Sequence, residues 1–429
     1  MIDIKLIREN RALVKENIKK KFQDYKLPLV DEIHDLDIKW RKEKAQLDAL
    51  RAERNKISQL INQEKKAGKD ISLLLKKARQ IPDEIAKIEH YANSLQNAIN
   101  ERLLKIPNII SDKTPLGKDE KDNLVIKKWG KIPKFKFPIK NHVEILEKQN
   151  LVDFDASARV AGSGFYYLKN DLALLNQALI RFAIDFMKKK GYEYIEGPLM
   201  LNEKSIYASM DKKAIEQSVY SIKDEDLHLI GTSEQYLLAM HSAHTFSESE
   251  LPKRYFSYSM CLRKEVGSHG INEKGLWRTH QFNKVEQFIF CKPEESEKLY
   301  SELLENSEEM IRALKLPYRI VEICSGDLAD WKFRSADLEV YRPPLKKYGE
   351  VGSLSNCTDY QARKLNIKYF NKKGERVVVH TLNNTGIATS RIMVTIIENN
   401  QQKDGTIKVP SVLVKYLGKK FLGKPLNEK

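Results

Sequence analysis

The residues with the clearest capacity for chemistry lie between Arg263 and Glu286, in RKEVGSHGINEKGLWRTHQFNKVE. The stretch opens on Arg-Lys-Glu, crosses a Gly/Ser/Asn-rich middle containing Gly267, Gly270 and Gly275, and closes on a polar run ending at Glu286. The middle reads as a turn and the flanks as strands. Alternate residues of a strand share a face, which groups Arg278, His280, Phe282, Lys284 and Glu286 and sends Thr279, Gln281 and Val285 the other way. Guanidinium forks suit phosphate or carboxylate, a phenyl ring suits a nucleobase, and a carboxylate suits an amine. A solvated charged hairpin has the same composition, so this stretch leaves both readings open.

Three further clusters carry polar groups at chain turns. Gly231-Thr232-Ser233-Glu234 follows a short apolar run and precedes a helical one, where hydroxyls serve either as caps or as ligands. Tyr348-Gly349-Glu350-Val351-Gly352-Ser353 sets a carboxylate and a hydroxyl three residues apart, a pairing suited to a hard cation. His380-Thr381-Leu382-Asn383-Asn384-Thr385-Gly386 leads into a helix carrying Arg391 in its first turns and Glu398 further on.

The elements that must position these groups fall in two regions. Apolar residues at Ile33, Leu36, Trp40, Leu47, Leu50, Ile57 and Ile61, and again at Leu74, Ala78, Ile81, Ile85, Ile88, Ala92, Leu95 and Ile99, keep a heptad beat. The polar turn Lys65–Asp70 between them predicts an antiparallel helical hairpin of about 27 residues per helix, roughly 40 Å long. Pro82 lies in the second series and predicts a kink or a late helix start. Arg41, Lys42, Lys44, Arg51, Arg54, Lys56, Lys65, Lys66 and Lys69 make the first helix and turn basic, either as a solvated face or as a grip on nucleic-acid backbone. Leu104 to Pro138, with its prolines and the charged run Lys118–Asp122, reads as a linker. Leu172–Lys190 reads as a helix stopped by Gly191, and Tyr192–Glu196 as a strand closed by Gly197-Pro198. Helical and strand-like segments then mix without a βαβ rhythm, which predicts an antiparallel α+β domain. The expected division is residues 1–106 with the arm at about 33–103, a linker at 107–140, and a second domain at 141–429.

Composition narrows the class. The chain has 429 residues, 31% charged and 41% hydrophobic, and no apolar run approaches the roughly 18 residues of a membrane span. Its start, MIDIKLIRENRALV, lacks an apolar signal core, so no membrane attachment and a cytoplasmic location are expected. Lys and Arg outnumber Asp and Glu by 75 to 59, which favours a polyanionic partner such as nucleic acid. Cys261, Cys291, Cys324 and Cys357 form no C-x-x-C pair, and the nine histidines show no ligand spacing, so neither a disulfide framework nor zinc is expected. No G-x-G-x-x-G or P-loop pattern occurs.

In this order the clusters resemble the seryl-tRNA synthetases, class II aminoacyl-tRNA synthetases. Gly191–Pro198 is similar to class II motif 1, Arg263–Glu286 to motif 2 and Asn383–Glu398 to motif 3. Family phrases recur at the N-terminus, in the helical arm, and at Ile106–Asn108, Gly117–Asn123, Phe165–Leu168 and Ser355–Arg363. The resemblance covers nearly the whole chain, and phrases such as DEDLHLIGTSEQ and NCTDYQARKLNI are nearest the archaeal-type branch. Gly164 and Gly352 stand where the family commonly has side chains.

The resemblance implies a class II antiparallel sheet with flanking helices, and a two-step reaction with ATP as substrate and Mg²⁺ as cofactor. Arg263 would bridge the serine carboxylate and the α-phosphate, as a catalytic group together with Arg391 at the γ-phosphate. The ATP pocket would comprise Arg263, Lys264, Glu265, Arg278, Thr279, Phe282, Glu350, Val351, Gly352, Ser353 and Arg391, with Glu350 and Ser353 holding the metal. The placing of Thr279 there runs against strict strand alternation. Serine would lie among Thr232, Ser233, Glu234, Arg263, Glu286, Asn383 and Thr385; which group takes its amine and which its hydroxyl is left open. The partners implied are tRNA(Ser), gripped through the arm, and a second copy of the chain in a homodimer, with tRNA(Sec) left open as a further acceptor. A carrier-protein aminoacylating relative would have little use for the arm, and a non-catalytic RNA-binding relative would be free to lose Arg263, Glu286, Glu350 and Arg391.

Overall fold

A computed structural model describes residues 1–266 and 274–426, so Gly267 and Gly270 of the expected turn lie outside the described residues. The chain divides into two compact units, Met1–Pro107 and the part from Asn108 onward.

In the first unit, short helices Ile4–Glu9 and Arg11–Lys20 precede two long ones, Leu27–Lys66 and Ser72–Leu103. The heptad seam packs as its spacing predicts. Leu47, Ile57, Ile81 and Ile85 are buried together, with Leu50, Ile61, Ala78 and Ile88 against them. The reversal uses Gly68 at φ +70°, a left-handed conformation that glycine adopts without a Cβ penalty. Both helices exceed the expected length, at 40 and 32 residues, or about 60 and 48 Å. The second begins ten residues before Pro82 and continues through it, so the late start does not occur. At the base of the arm the buried Asp37 carboxylate receives Arg8 Nη2 at 2.6 Å and Arg41 Nε at 2.9 Å.

The second unit is built on an eight-stranded sheet. Its strands are β1 (Leu124–Trp129), β2 (Glu193–Tyr194), β3 (Lys253–Leu262), β4 (Gln281–Cys291), β5 (Tyr318–Glu322), β6 (Arg334–Arg342), β7 (Lys347–Thr358) and β8 (His380–Ala388). They lie in the order β1-β5-β6-β7-β8-β4-β3-β2. All neighbours are antiparallel except β2, which runs parallel to β3. Residues 107–140, linker-like in sequence, supply β1 to the edge of this sheet through its pairing with β5. The expected strand Tyr192–Glu196 is reduced to the two residues of β2.

Alternation along β4 divides the unit in two. Val285, Ile289 and Cys291 join the main core beneath helices Asn170–Lys189, Ser296–Ala313 and Thr389–Asn400, and Gln287 Nε2 donates to Ser307 Oγ of the second helix at 3.1 Å. Phe288 and Phe290, on the opposite face, join a separate cluster with Ile230, Tyr236 and Leu237. The helix Asn170–Lys189 ends as expected, with Gly191 at φ +81° and the Tyr192 amide returning to Met187 O at 3.2 Å. All four cysteines are free and buried. Among the described residues no helix is long and apolar enough to cross a membrane.

Candidate active site

On the face of β4 turned away from the main core lies a cavity of about 450 Å³. Helix Lys212–Ser218, the turn at Gly231–Glu234, the facing ends of β4, β7 and β8, and the start of helix Thr389–Asn400 wall it. Phe282, Lys284 and Glu286 reach it together, as strand alternation requires. Arg278 reaches the cavity too, but the alternation breaks at Thr279 and His280, because β4 starts only at Gln281. Thr279 therefore lines the cavity, while the His280 ring turns to Tyr220 and to Arg263 O, with Nδ1 2.8 Å from that carbonyl.

The floor holds two carboxylates of unlike character. Glu286 is ion-paired with Lys284, and its Oε2 accepts from Thr232 Oγ1 at 3.3 Å. Glu234 has only neutral amides: its Oε1 accepts from Gln361 Nε2 at 2.7 Å and from Asn383 Nδ2 at 3.1 Å. Among the described residues no ion pair reaches it. Burial, and next the charge of Glu286, push the Glu234 carboxyl up to about 7.

Cations line the opposite wall. Arg263 Nε donates to Gly231 O at 3.0 Å, and its guanidinium lies 5.2 Å from the centroid of the Phe282 ring. Arg278 Nη1 donates to Glu265 Oε2 at 2.9 Å. Arg391 Nη1 contacts both the carbonyl and the carboxylate of Glu350, each at 3.0 Å, and holds that carboxyl below its ordinary value. Lys332 Nζ reaches Ser353 Oγ at 3.4 Å.

A buried network fixes this wall from behind. Glu398 accepts from Arg342 Nε at 2.8 Å and Nη2 at 2.7 Å, and lies 2.9 Å from His142 Nδ1. The Leu276 amide donates to His142 Nε2 at 3.2 Å, which leaves the ring hydrogen on Nδ1 for Glu398. The Arg342 guanidinium stacks 4.2 Å from the Trp277 ring centroid, with Arg391 at 5.6 Å from the same ring. Gly349 admits that indole: a Cβ there would come within 2.4 Å of Trp277 Cζ2.

Of the serine- and ATP-site residues that the resemblance implied, all but Ser233 and Lys264 line the cavity; His280 and Glu398, also singled out in the sequence, do not. Ser233 is fully buried at the start of helix Glu234–Ala239, and Lys264 is set by its backbone, whose amide donates to Ser218 O at 2.9 Å. Gly352 faces Thr385, with 3.3 Å between its hypothetical Cβ and that of Thr385, so a side chain would crowd the floor. Trp277, Lys332, Gln361 and the pairing role of Lys284 escaped the sequence reading. Lys284 had a signal in its alternation with Phe282 and Glu286; Lys332 had none.

Two family models cover most of the chain: the seryl-tRNA synthetase N-terminal domain over residues 1–110 and the class II tRNA synthetase core domain (G, H, P, S and T) over 218–400. The serine–tRNA ligase of Methanocella arvoryzae is 43% identical over 97% of this chain and 99% of its own length. The chain belongs to the seryl-tRNA synthetase family. The Pyrococcus horikoshii seryl-tRNA synthetase complexed with ATP superimposes with a TM-score of 0.92 at 41% identity, covering all of both chains. The cytoplasmic serine–tRNA ligase of Naegleria fowleri in complex with AMP gives 0.87 at 32% identity over 99% of each chain. As a seryl-tRNA synthetase the protein is a class II aminoacyl-tRNA ligase, and the cavity occupies the matched core domain.

The lone carboxylate on the floor has a measurable cost. Because the folded carboxyl of Glu234 sits near 7 and its ordinary value is 4.5, stability falls as pH rises between those values and the deficit is complete above them. Glu234→Gln keeps an acceptor for both amides. It is expected to raise the melting temperature by a few degrees at a pH of about 8, on the order of 2 kcal/mol, and not at about 5; thermal denaturation at both values checks this.

Proposed function

We propose that the protein activates serine with ATP to form seryl-adenylate and transfers the seryl group to tRNA(Ser). The observation that carries the reading is the unequal pair of carboxylates. Glu286 already has Lys284, whereas Glu234 is buried beside neutral amides and, among the described residues, makes no ion pair. An ammonium arriving at Glu234 supplies a counterion. The substrate hydroxyl then falls to Glu286, Thr232, Asn383 and Thr385, which line the same floor. Alanine would leave those buried groups unpaired, which supports discrimination of about 10⁴.

ATP is read into the cationic half. Phe282 offers a face to adenine, and Arg391 suits the γ-phosphate. Arg263 stands between the floor and Phe282, where one guanidinium can hold a serine carboxylate oxygen and an α-phosphate oxygen together. A carboxylate oxygen of serine attacks the α-phosphorus, and the bond to the bridging oxygen breaks to release pyrophosphate. Arg263 offsets the charge that accumulates at phosphorus. The terminal ribose hydroxyl of the tRNA next attacks the adenylate carbonyl, and AMP departs.

A divalent cation fits this half of the cavity. Glu350 and Ser353 both line it, and burial, followed by the charge of Glu350, holds the Asp337 carboxyl opposite Ser353 above its ordinary value, an acidic environment that supports a cation there. Among the described residues no three His, Cys, Asp or Glu side chains are grouped for a metal, so phosphate and water oxygens would complete the shell. Mg²⁺ held by Glu350 and Ser353 would screen the phosphates.

The remaining parts of the reading are a homodimer, cytoplasmic location, and a grip by the basic arm on the body of the tRNA, with Lys42, Arg54, Lys56, Lys65 and Lys66 exposed along it. tRNA(Sec) remains a further acceptor to be assayed alongside tRNA(Ser).

Serine-dependent ATP–pyrophosphate exchange tests the activation step, and absence of exchange with Mg²⁺ present would sink it. Only ionised Glu234 attracts an ammonium, so kcat/KM for serine is expected to fall about tenfold per pH unit below the Glu234 titration near 7. Arg263→Ala should lower exchange by about 10³-fold; near wild-type exchange would remove Arg263 from the α-phosphate. Deleting Leu36–Ile99 should leave exchange intact and reduce aminoacylation of tRNA by at least about 100-fold, whereas equal loss of both activities would make the arm a structural element.

A further inference from the structure

Gln361 is fully buried in the short helix Tyr360–Lys364, and every polar atom of its amide is engaged. Its Nε2 donates to Ser209 O and to Glu234 Oε1, each at 2.7 Å, and its Oε1 accepts from Thr381 Oγ1, also at 2.7 Å. The carbonyl of Ser209 and the carboxylate of Glu234 both require N–H donors, so the amide has one tolerable orientation, and the Thr381 hydroxyl completes it. Thr381 is itself fully buried on β8, two residues before Asn383, the second donor to Glu234. Both donors use the same oxygen, Oε1. Oε2 takes part in neither bond.

We propose that Gln361 is a positioning residue for amino-acid selection, holding Glu234 so that Oε1 is occupied by protein amides and Oε2 is kept for the ammonium of the substrate. The inference rests on Glu234 being the ammonium partner. Gln361 touches neither substrate; it acts through the orientation of one carboxylate. The Ser209 carbonyl links that orientation to helix Glu203–Ser209 and, through the next residue, to Met210 in the cavity wall. Thr381 belongs to the same device as the group that satisfies the far side of the amide.

The test uses the full chain carrying Gln361→Met, which keeps side-chain length and removes both donors, and Gln361→Glu, which replaces them with a second carboxyl. Pyrophosphate exchange is measured against serine and ATP separately and across pH. KM for serine is expected to rise about 10- to 100-fold while KM for ATP stays within about twofold. In Gln361→Met the midpoint of kcat/KM for serine should move up by about one pH unit, because Glu234 has lost a donor that favours its charged form. Thr381→Val should raise the serine KM in the same direction, and Thr381→Ser, which keeps the hydroxyl, should restore it. An unchanged serine KM in both Gln361 variants overturns the proposal, as does a parallel rise in the serine and ATP constants with a lowered melting temperature. Lack of serine-dependent exchange in the unaltered protein is a different result: it removes the functional reading and this inference with it.

Discussion

Two buried carboxylates and one buried lysine share the floor of the cavity, and the rest of the catalytic unit is arranged around that imbalance. Leaving a carboxylate buried without a counterion is costly. Glu234 survives there because Gln361 and Asn383 supply neutral donors and because its carboxyl can hold a proton near neutrality. The same imbalance makes the site receptive. A ligand bearing an ammonium would remove the deficit on binding, and the free energy stored against the fold would become affinity for that ligand.

The eight-stranded sheet makes this arrangement possible through its two-residue period. On β4, Val285, Gln287 and Ile289 look into the helix-covered core while Lys284 and Glu286 face the cavity. A slip of one residue would exchange these sets. Register at the neighbouring strand is interrupted between Thr385 and Ile387, where Gly386 lies close to Val285 O. That irregularity lets Asn383 and Thr385 address the floor and Ile387 the core from one strand. The Glu398 network performs the corresponding task for the cationic wall, tying His142, Leu276 and Trp277 to the helix that presents Arg391.

Much of this was legible from residue spacing. The arm followed from its heptads, the helix stop at Gly191 from glycine chemistry, and the grouping of Phe282, Lys284 and Glu286 from strand alternation. Alternation failed at Thr279 and His280, though not at Arg278, because regular strand geometry had not begun there. The edge strand β1 was obscured by the prolines and glycines around it, and its partner β5 lies nearly two hundred residues away. Gln361 and Lys332 were beyond reach for the same reason: their value lies in neighbours brought in by the sheet, and no local pattern distinguishes them from a helical glutamine or a surface lysine.

The arm has a consequence of its own. Outside its base, each layer of the two-helix seam touches only the layers above and below, so its stability is distributed like that of a linear chain of coupled units. The polar turn around Gly68 contributes no buried apolar residue, and opening there can spread inward by single turns. A rod built in this way holds its root firmly and its tip loosely. Such a gradient of compliance would let the far end adapt to an irregular partner while the root keeps its packing.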